Sequence, residues 1–187
     1  VEAIERLHTT AEAHDRIIVV EVMGRYAGWI ALTSGLAGGA HIVLIPELEY
    51  DPARVIDALH RRHGRGNSYS IIVVAEGARM KGGGYTVQAA GDATRAERLG
   101  GAAAKLTELI AAQTDYEVRA TVLGYTQRGA EPCAFDRELA TRFGVKAVDM
   151  IAEGTFAHVA AMEHGHVVAK PLAAALARLK VCDPAGE

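Results

Sequence analysis

Four β-branched residues in a row, Ile17-Ile18-Val19-Val20, constrain this chain more than any other feature in it. A run of that kind suits a strand buried on both faces. It continues through Glu21-Val22 into Met23-Gly24-Arg25 and then directly into Tyr-Ala-Gly-Trp-Ile-Ala-Leu, which has a helical pattern. Gly24 permits a sharp turn and leaves room beside the backbone. Arg25 stands next to a helix N-terminus, where unpaired N–H groups and the helix dipole favour an anion. A guanidinium fork there can hold two phosphate oxygens at once. A plain strand-to-helix turn with a surface Arg ion pair is the alternative for this segment taken alone.

The same alternation recurs downstream. Residues 2–13 predict a helix, 16–22 a strand, and 27–37 a helix carrying Trp29, Ile30 and Leu36 inward and ending at Gly38-Gly39. Residues 41–46 predict a second strand. Asp51-Pro52 then opens a helix presenting Val55, Ile56 and Leu59, with the acid at the N-cap and Pro in the first turn. Ser-Ile-Ile-Val-Val-Ala-Glu, 70–76, is a third buried strand. Repeated βα units imply an α/β three-layer sandwich, a mostly parallel sheet with helices on both faces. Further on come Gly82-Gly83-Gly84-Tyr85, read as a flexible insertion or hairpin, and a polar stretch to about Arg95. The glycines lack the Lys-Ser/Thr of a phosphate-binding P-loop. A helix over 96–113, a strand over 117–123, a long helix over 135–153, a short strand over 166–170 and a helix near 172–180 with Leu172, Leu176 and Leu179 complete the expected elements.

Several function classes are excluded. A net charge of −3 with no Lys/Arg run interleaved with aromatics argues against nucleic-acid binding. Apolar runs are broken by charge well before the roughly 18 residues of a membrane helix. The N-terminus has no basic region ahead of an apolar core, so a cytoplasmic location is the expectation. Cys133 and Cys182 are expected as reduced thiols. The eight His residues show no metal-ligand spacing.

Ligands of parallel α/β sheets sit at the carboxyl ends of strands, so the residues delivered there are the candidates. The first strand delivers Met23, Gly24 and Arg25. The third delivers Glu76, a carboxylate able to accept paired hydrogen bonds from sugar hydroxyls, with a helix cap or ion pair as its alternative. The fourth delivers Leu123-Gly124-Tyr125-Thr126-Gln127-Arg128-Gly129, with Arg119 farther back in the strand. A guanidinium within that strand must find an edge, an interface or an anion. Arg25, Arg119 and Arg128 with Glu76 would suit a phosphorylated polyol, with Arg16 a fourth candidate cation.

Val-Glu-Val-Met-Gly-Arg-Tyr-Ala-Gly-Trp, Ala-Gly-Gly-Ala before a strand ending Ile-Pro-Glu, Val-Ala-Glu-Gly-Ala, and Ala-Thr-Val-Leu-Gly-Tyr-Thr-Gln-Arg-Gly follow one another in this chain. In that order and spacing they resemble the C-terminal half of 6-phosphofructokinases of the bacterial type. Asp136-Arg137 and Leu139-Ala140-Thr141-Arg142 continue the match. The long segment between Glu76 and Arg119 is similar to that of the subgroup containing pyrophosphate-dependent and mixed-donor actinobacterial enzymes. The resemblance implies that Met23, Gly24 and Arg25 contact fructose 6-phosphate, with Arg25 also stabilising charge on the transferring phosphoryl group. It implies that Glu76 holds sugar hydroxyls, that Arg128 with Tyr125, Thr126 and Gln127 meets the sugar phosphate, and that Arg16 and Arg119 reach a neighbouring subunit's site in a homodimer or homotetramer. Tyr125 stands where a histidine is expected, and a phenol cannot become cationic. His41 replaces an acidic residue of the effector site, and Asn67 and Tyr69 stand where cations are expected, so nucleotide regulation of that type is expected to be lost. Ala130 replaces a second Gly.

Phosphoryl transfer needs a donor cradle, a metal and a base. The resemblance places these, with Mg²⁺ and ATP or pyrophosphate, in an N-terminal half. The chain has no initiator Met and opens in mid-helix, with Ile4, Leu7 and Ala11 at helical spacing. It is therefore expected to be a fragment, with 1–126 the smaller, substrate-binding lobe and 127–187 a return segment of the larger lobe. Alone it is expected to be inactive. A stand-alone sugar-phosphate-binding or regulatory module and a structural pseudo-enzyme subunit are the other readings.

Overall fold

A computed structural model of the chain describes residues 1–89 and 98–184. The elements in order are α1 (Glu2–Ala13), β1 (Ile17–Val22), α2 (Trp29–Ala37), β2 (Ile42–Leu44), α3 (Pro52–His63), β3 (Ser70–Ala75), β4 (Val87–Ala89), β5 (Arg98–Leu99), α4 (Ala102–Gln113) and β6 (Val118–Val122). A 3₁₀ turn over Gly124–Arg128 follows, then α5 (Ala134–Ala152), β7 (His158–Glu163), β8 (His166–Pro171) and α6 (Leu172–Leu176). The chain divides into two compact units, Val1–Arg128 with Val181–Glu187, and Gly129–Lys180.

The first unit holds a four-stranded parallel sheet in the order β2-β3-β1-β6. Every residue of β1 and β3 is buried, as their β-branched runs require. Alternate side chains go to opposite faces: Ile17 and Val19 pack with α3 and α4, while Ile18, Val20 and Val22 pack with Ile4 and Ala11 of α1 and Ala31 of α2. Each such Ile or Val contributes about 1.5–3 kcal/mol by leaving water. Asp51 caps α3 as its sequence predicts, accepting the Ala53 N–H at 2.9 Å.

Several expectations are corrected. In α2, Trp29, Ile30 and Leu36 are exposed, and Ala31 and Gly35 face the sheet instead. The helix lies so close that a Cβ on Gly35 would sit 2.6 Å from Val43 Cγ2, so only small residues fit beneath it. The glycine-rich segment leads into a hairpin, β4 with β5 antiparallel, whose connecting residues 90–97 fall outside the described ones. Much of the predicted polar stretch, and the first two residues of the helix predicted over 96–113, fall there as well. That helix begins at Ala102, since Arg98–Leu99 are strand.

In the second unit, β7 is a strand that periodicity missed. It pairs antiparallel with β8 from His158↔Pro171 to Glu163↔His166. α6 stops at Leu176, and Leu172, Leu176 and Leu179 are exposed.

Candidate functional site

After β1 the chain crosses into α2 on one face of the sheet, and the elements after β3 lead to α4 on the other. Connections that leave adjacent strands toward opposite faces open a crevice at their carboxyl ends. A cavity of about 550 Å³ lies there, lined by Glu21, Met23, Arg25, Glu76, Leu99, Gly100, Val122, Gly124, Tyr125 and Arg128. It brings Arg25 from β1, Glu76 from β3, and Tyr125 and Arg128 from the turn after β6 to one place. A larger apolar groove of about 790 Å³ beside β2, lined by Trp29, Leu36 and Leu48 among others, has no comparable convergence from strand ends.

The loop carrying Arg25 is held by its neighbours. The Met23 N–H donates to Gln127 Oε1 at 3.2 Å, and Gln127 Nε2 donates to the Gly124 carbonyl at 3.2 Å, so one carboxamide ties the ends of β1 and β6 together. The Gly24 N–H points at Glu76 Oε1 at 3.5 Å, and the Gly77 N–H donates to the Gly24 carbonyl at 3.0 Å. A Cβ at Gly77 would fall 1.9 Å from the Arg25 carbonyl oxygen, so the loop occupies the volume that any other residue would need. Gly24 itself has φ +149°, a conformation disfavoured for side-chain-bearing residues. The Arg25 guanidinium lies 5.5 Å from the Tyr26 ring centroid, a cation–π contact. Thr126 turns its hydroxyl back onto the Leu123 carbonyl, and with Gln127 it builds the frame rather than the cavity wall.

Arg16 and Arg119 are not part of this cavity, and Arg119 does not join Arg25, Arg128 and Glu76 as the residue types alone suggested. They stand at the amino ends of β1 and β6, roughly 20 Å of strand away. Glu117 sits between them, 2.9 Å from Arg16 and 2.6 Å from Arg119. The Arg16 hydrogen bond, followed by the charges of Arg16 and Arg119, holds the Glu117 carboxyl below its ordinary range against desolvation. Among the described residues, Arg16 Nε is buried without a partner, and Arg119 is exposed on β6, an edge strand of the sheet they form.

Two positioning groups were not singled out from sequence. Glu21, 4% exposed near the carboxyl end of β1 and on the cavity wall, accepts the Gly101 N–H at 3.1 Å and the Ala103 N–H at 2.9 Å, and so caps α4. A charge inside an apolar strand was the available signal, since a buried carboxylate must find donors. Gly77 left no signal beyond its identity. Among the described residues, no group of three or more His, Cys, Asp or Glu is placed to hold a metal ion. No helix among them is long and apolar enough to cross a membrane.

The sequence of residues 1–151 matches the family profile described as Phosphofructokinase. This chain belongs to the phosphofructokinase family. It is 50% identical over 185 residues to the pyrophosphate–fructose 6-phosphate 1-phosphotransferase of Streptomyces coelicolor, covering 98% of this chain and 54% of that one. It is 48% identical over 181 residues to the ATP-dependent 6-phosphofructokinase of Mycobacterium leprae, covering 96% and 53%. The chain thus spans about half the length of the curated relatives it matches, and relatives named for either donor share that half. Among solved structures, the Saccharomyces cerevisiae phosphofructokinase superposes with a TM-score of 0.77 at 29% identity, over 92% of this chain and 22% of that one. A pyrophosphate-dependent phosphofructokinase from Nitrosospira multiformis superposes at 0.79 over 98% and 47%, a likeness of fold at 21% identity. The phosphofructokinase fold and the mostly parallel sheet agree with the α/β reading of the sequence.

Proposed function

We propose that this chain is the acceptor-binding half of a 6-phosphofructokinase, which transfers a phosphoryl group from ATP or pyrophosphate to the 1-hydroxyl of fructose 6-phosphate. One observation supports the reading: the carboxyl ends of β1, β3 and β6 meet at a single cavity with two guanidinium groups, Arg25 and Arg128, and two carboxylates on its wall, of which Glu21 is taken up by the N–H groups of Gly101 and Ala103 and Glu76 is left for a ligand. Arg128 binds the sugar phosphate, Tyr125 donates a hydrogen bond to it, and Glu76 accepts from the sugar hydroxyls. Arg25 acts on the negative charge that spreads over the transferring phosphoryl group, an electrostatic role that needs the guanidinium fixed before reaction. Met23 and Gly24 line the approach, while Thr126 and Gln127 hold it in shape. The donor and its Mg²⁺ would be held by residues outside this chain. Arg16 and Arg119 serve a neighbouring subunit's sugar site in a homo-oligomer. Residues 1–126 form the substrate-binding lobe, and from 127 the chain returns to the larger lobe, although Val181–Glu187 group with the first compact unit. As a glycolytic enzyme the intact protein works in the cytoplasm.

The test is titration calorimetry of the 187-residue chain with fructose 6-phosphate, beside a product assay with each donor. Saturable heat that is lost in Arg25→Ala and Glu76→Ala, with no fructose 1,6-bisphosphate formed from either ATP or pyrophosphate, is the expected result. Absence of saturable heat in the unsubstituted chain would leave only a structural role, and product formation would refute the division of labour.

A further inference from the structure

The loop over residues 23–28 is fastened near β1 by Gln127, Glu76 and Gly77. Its far end is fastened by a residue that lines no part of the cavity. Glu47 follows β2 in the Ile45-Pro46-Glu47 segment, and its two carboxylate oxygens accept the Gly28 N–H at 3.0 and 3.1 Å. Oε1 also accepts the Cys182 N–H at 2.8 Å. Gly28 is the N-cap of α2 and has no side chain with which to cap it, so Glu47 supplies from another element the negative charge that a helix N-terminus favours. The fit excludes a larger residue: a Cβ at Gly28 would lie 2.5 Å from Ile45 Cβ. Burial pushes the Glu47 carboxyl up, but the N–H groups of Gly28 and Cys182 outweigh it and hold the group below its ordinary value. Burial, and then the Glu47 charge, push the Cys182 thiol up, and at 2% exposure it is a packing and tethering group.

Cys182 is also where the chain has come back to the first unit after the second, which begins directly beyond Arg128. One carboxylate therefore holds both the returning tail and the end of the arginine loop. We propose that Glu47 is a positioning residue for Arg25, and that residues 181–184 act on the arginine loop through it. In its effect on ligand affinity the proposal rests on the sugar-phosphate reading above. Arg25 lies between a clamp at Gly24 and a clamp at Gly28. Releasing the second lets the loop sample other conformations, and ordering it again on binding is unfavourable.

Trp29, the single tryptophan, follows Gly28 directly and reports on this clamp by its fluorescence. Three variants decide the matter: Glu47→Gln, a chain ending at Lys180, and Ile56→Val as a control that loosens the core under α3. Glu47→Gln is expected to shift Trp29 emission and weaken fructose 6-phosphate binding about tenfold, the scale of losing a charge-assisted hydrogen bond. The shortened chain should move both readouts in the same direction by less. Ile56→Val should lower the melting temperature and move neither. Unchanged emission in both Glu47→Gln and the shortened chain overturns the proposal, as does a loss of affinity in Ile56→Val equal to that in Glu47→Gln. If the unsubstituted chain binds no fructose 6-phosphate, the sugar-phosphate reading fails. The tether is then judged on Trp29 emission alone, which a shared shift in the two tether variants upholds and its absence refutes.

Discussion

His41 donates its backbone N–H to the Ile71 carbonyl at 2.9 Å and accepts the Ile71 N–H on Nδ1 at 2.8 Å, so its ring serves as a neutral acceptor for a strand end. Burial, then the nearby Arg62 charge, then His8, lower its pKa from 6.5 to about 4. Tyr69 packs edge-on against both imidazoles. Between pH 6.5 and 4 the unfolded chain takes up a proton that the folded one refuses, so this contribution is whole above pH 6.5 and is lost as pH falls toward 4. Melting temperature should therefore decline over that window. His41→Asn, whose Oδ1 can take the Ile71 N–H without titrating, should flatten the decline; an unchanged slope by calorimetry would show that other groups cause it. Residue types at strand ends made Arg25, Glu76 and Arg128 legible beforehand. The departure at His41 was legible too, but its acceptor role was not, because it depends on a partner thirty positions away.

Glu21 and α4 show what is decided at the level of elements. The helix has no side-chain cap of its own, and its N-terminal N–H groups are met by a carboxylate eighty residues earlier in the chain. Glu21→Gln keeps one oxygen and turns an NH₂ group toward N–H donors. It should destabilise the first unit by about 2 kcal/mol, measurable by denaturant unfolding. A loss below about 0.5 kcal/mol would mean that water replaces the carboxylate. Strand and helix positions were readable from β-branched runs and from the Asp51-Pro52 cap. The inward face of α2 was not, because hydrophobicity favours Trp29 and Leu36 for burial whereas the residues buried against the sheet are Ala31 and Gly35, with Leu32 partly buried beside them and a Cβ on Gly35 excluded by Val43. β7 was missed since His158 to Glu163 carries no alternating apolar signal.

At the scale of the whole molecule, the second unit exposes Phe135, Val145, Val148, Ile151 and Phe156 along and after α5, each at least 58% accessible. Exposed apolar side chains in this number predict binding of a hydrophobic dye. The double substitution Val148→Glu, Ile151→Glu should reduce that fluorescence while changing stability by no more than about 0.5 kcal/mol per site. Undiminished fluorescence would assign the dye to another surface, such as the groove beside β2. What the sequence by itself determined is the parallel α/β layout and the residues at three strand ends, because β-branched runs, caps and strand-end punctuation act over a few neighbouring positions. Only the tertiary structure decided that Arg16 and Arg119 stand at the opposite end of the sheet from Arg25, that Gly77 leaves space for the arginine loop, and that Glu21 and Glu47 clamp helices distant in sequence. Those outcomes depend on which buried donors meet which acceptors once the strands are in register, and neighbouring residues carry no record of that pairing.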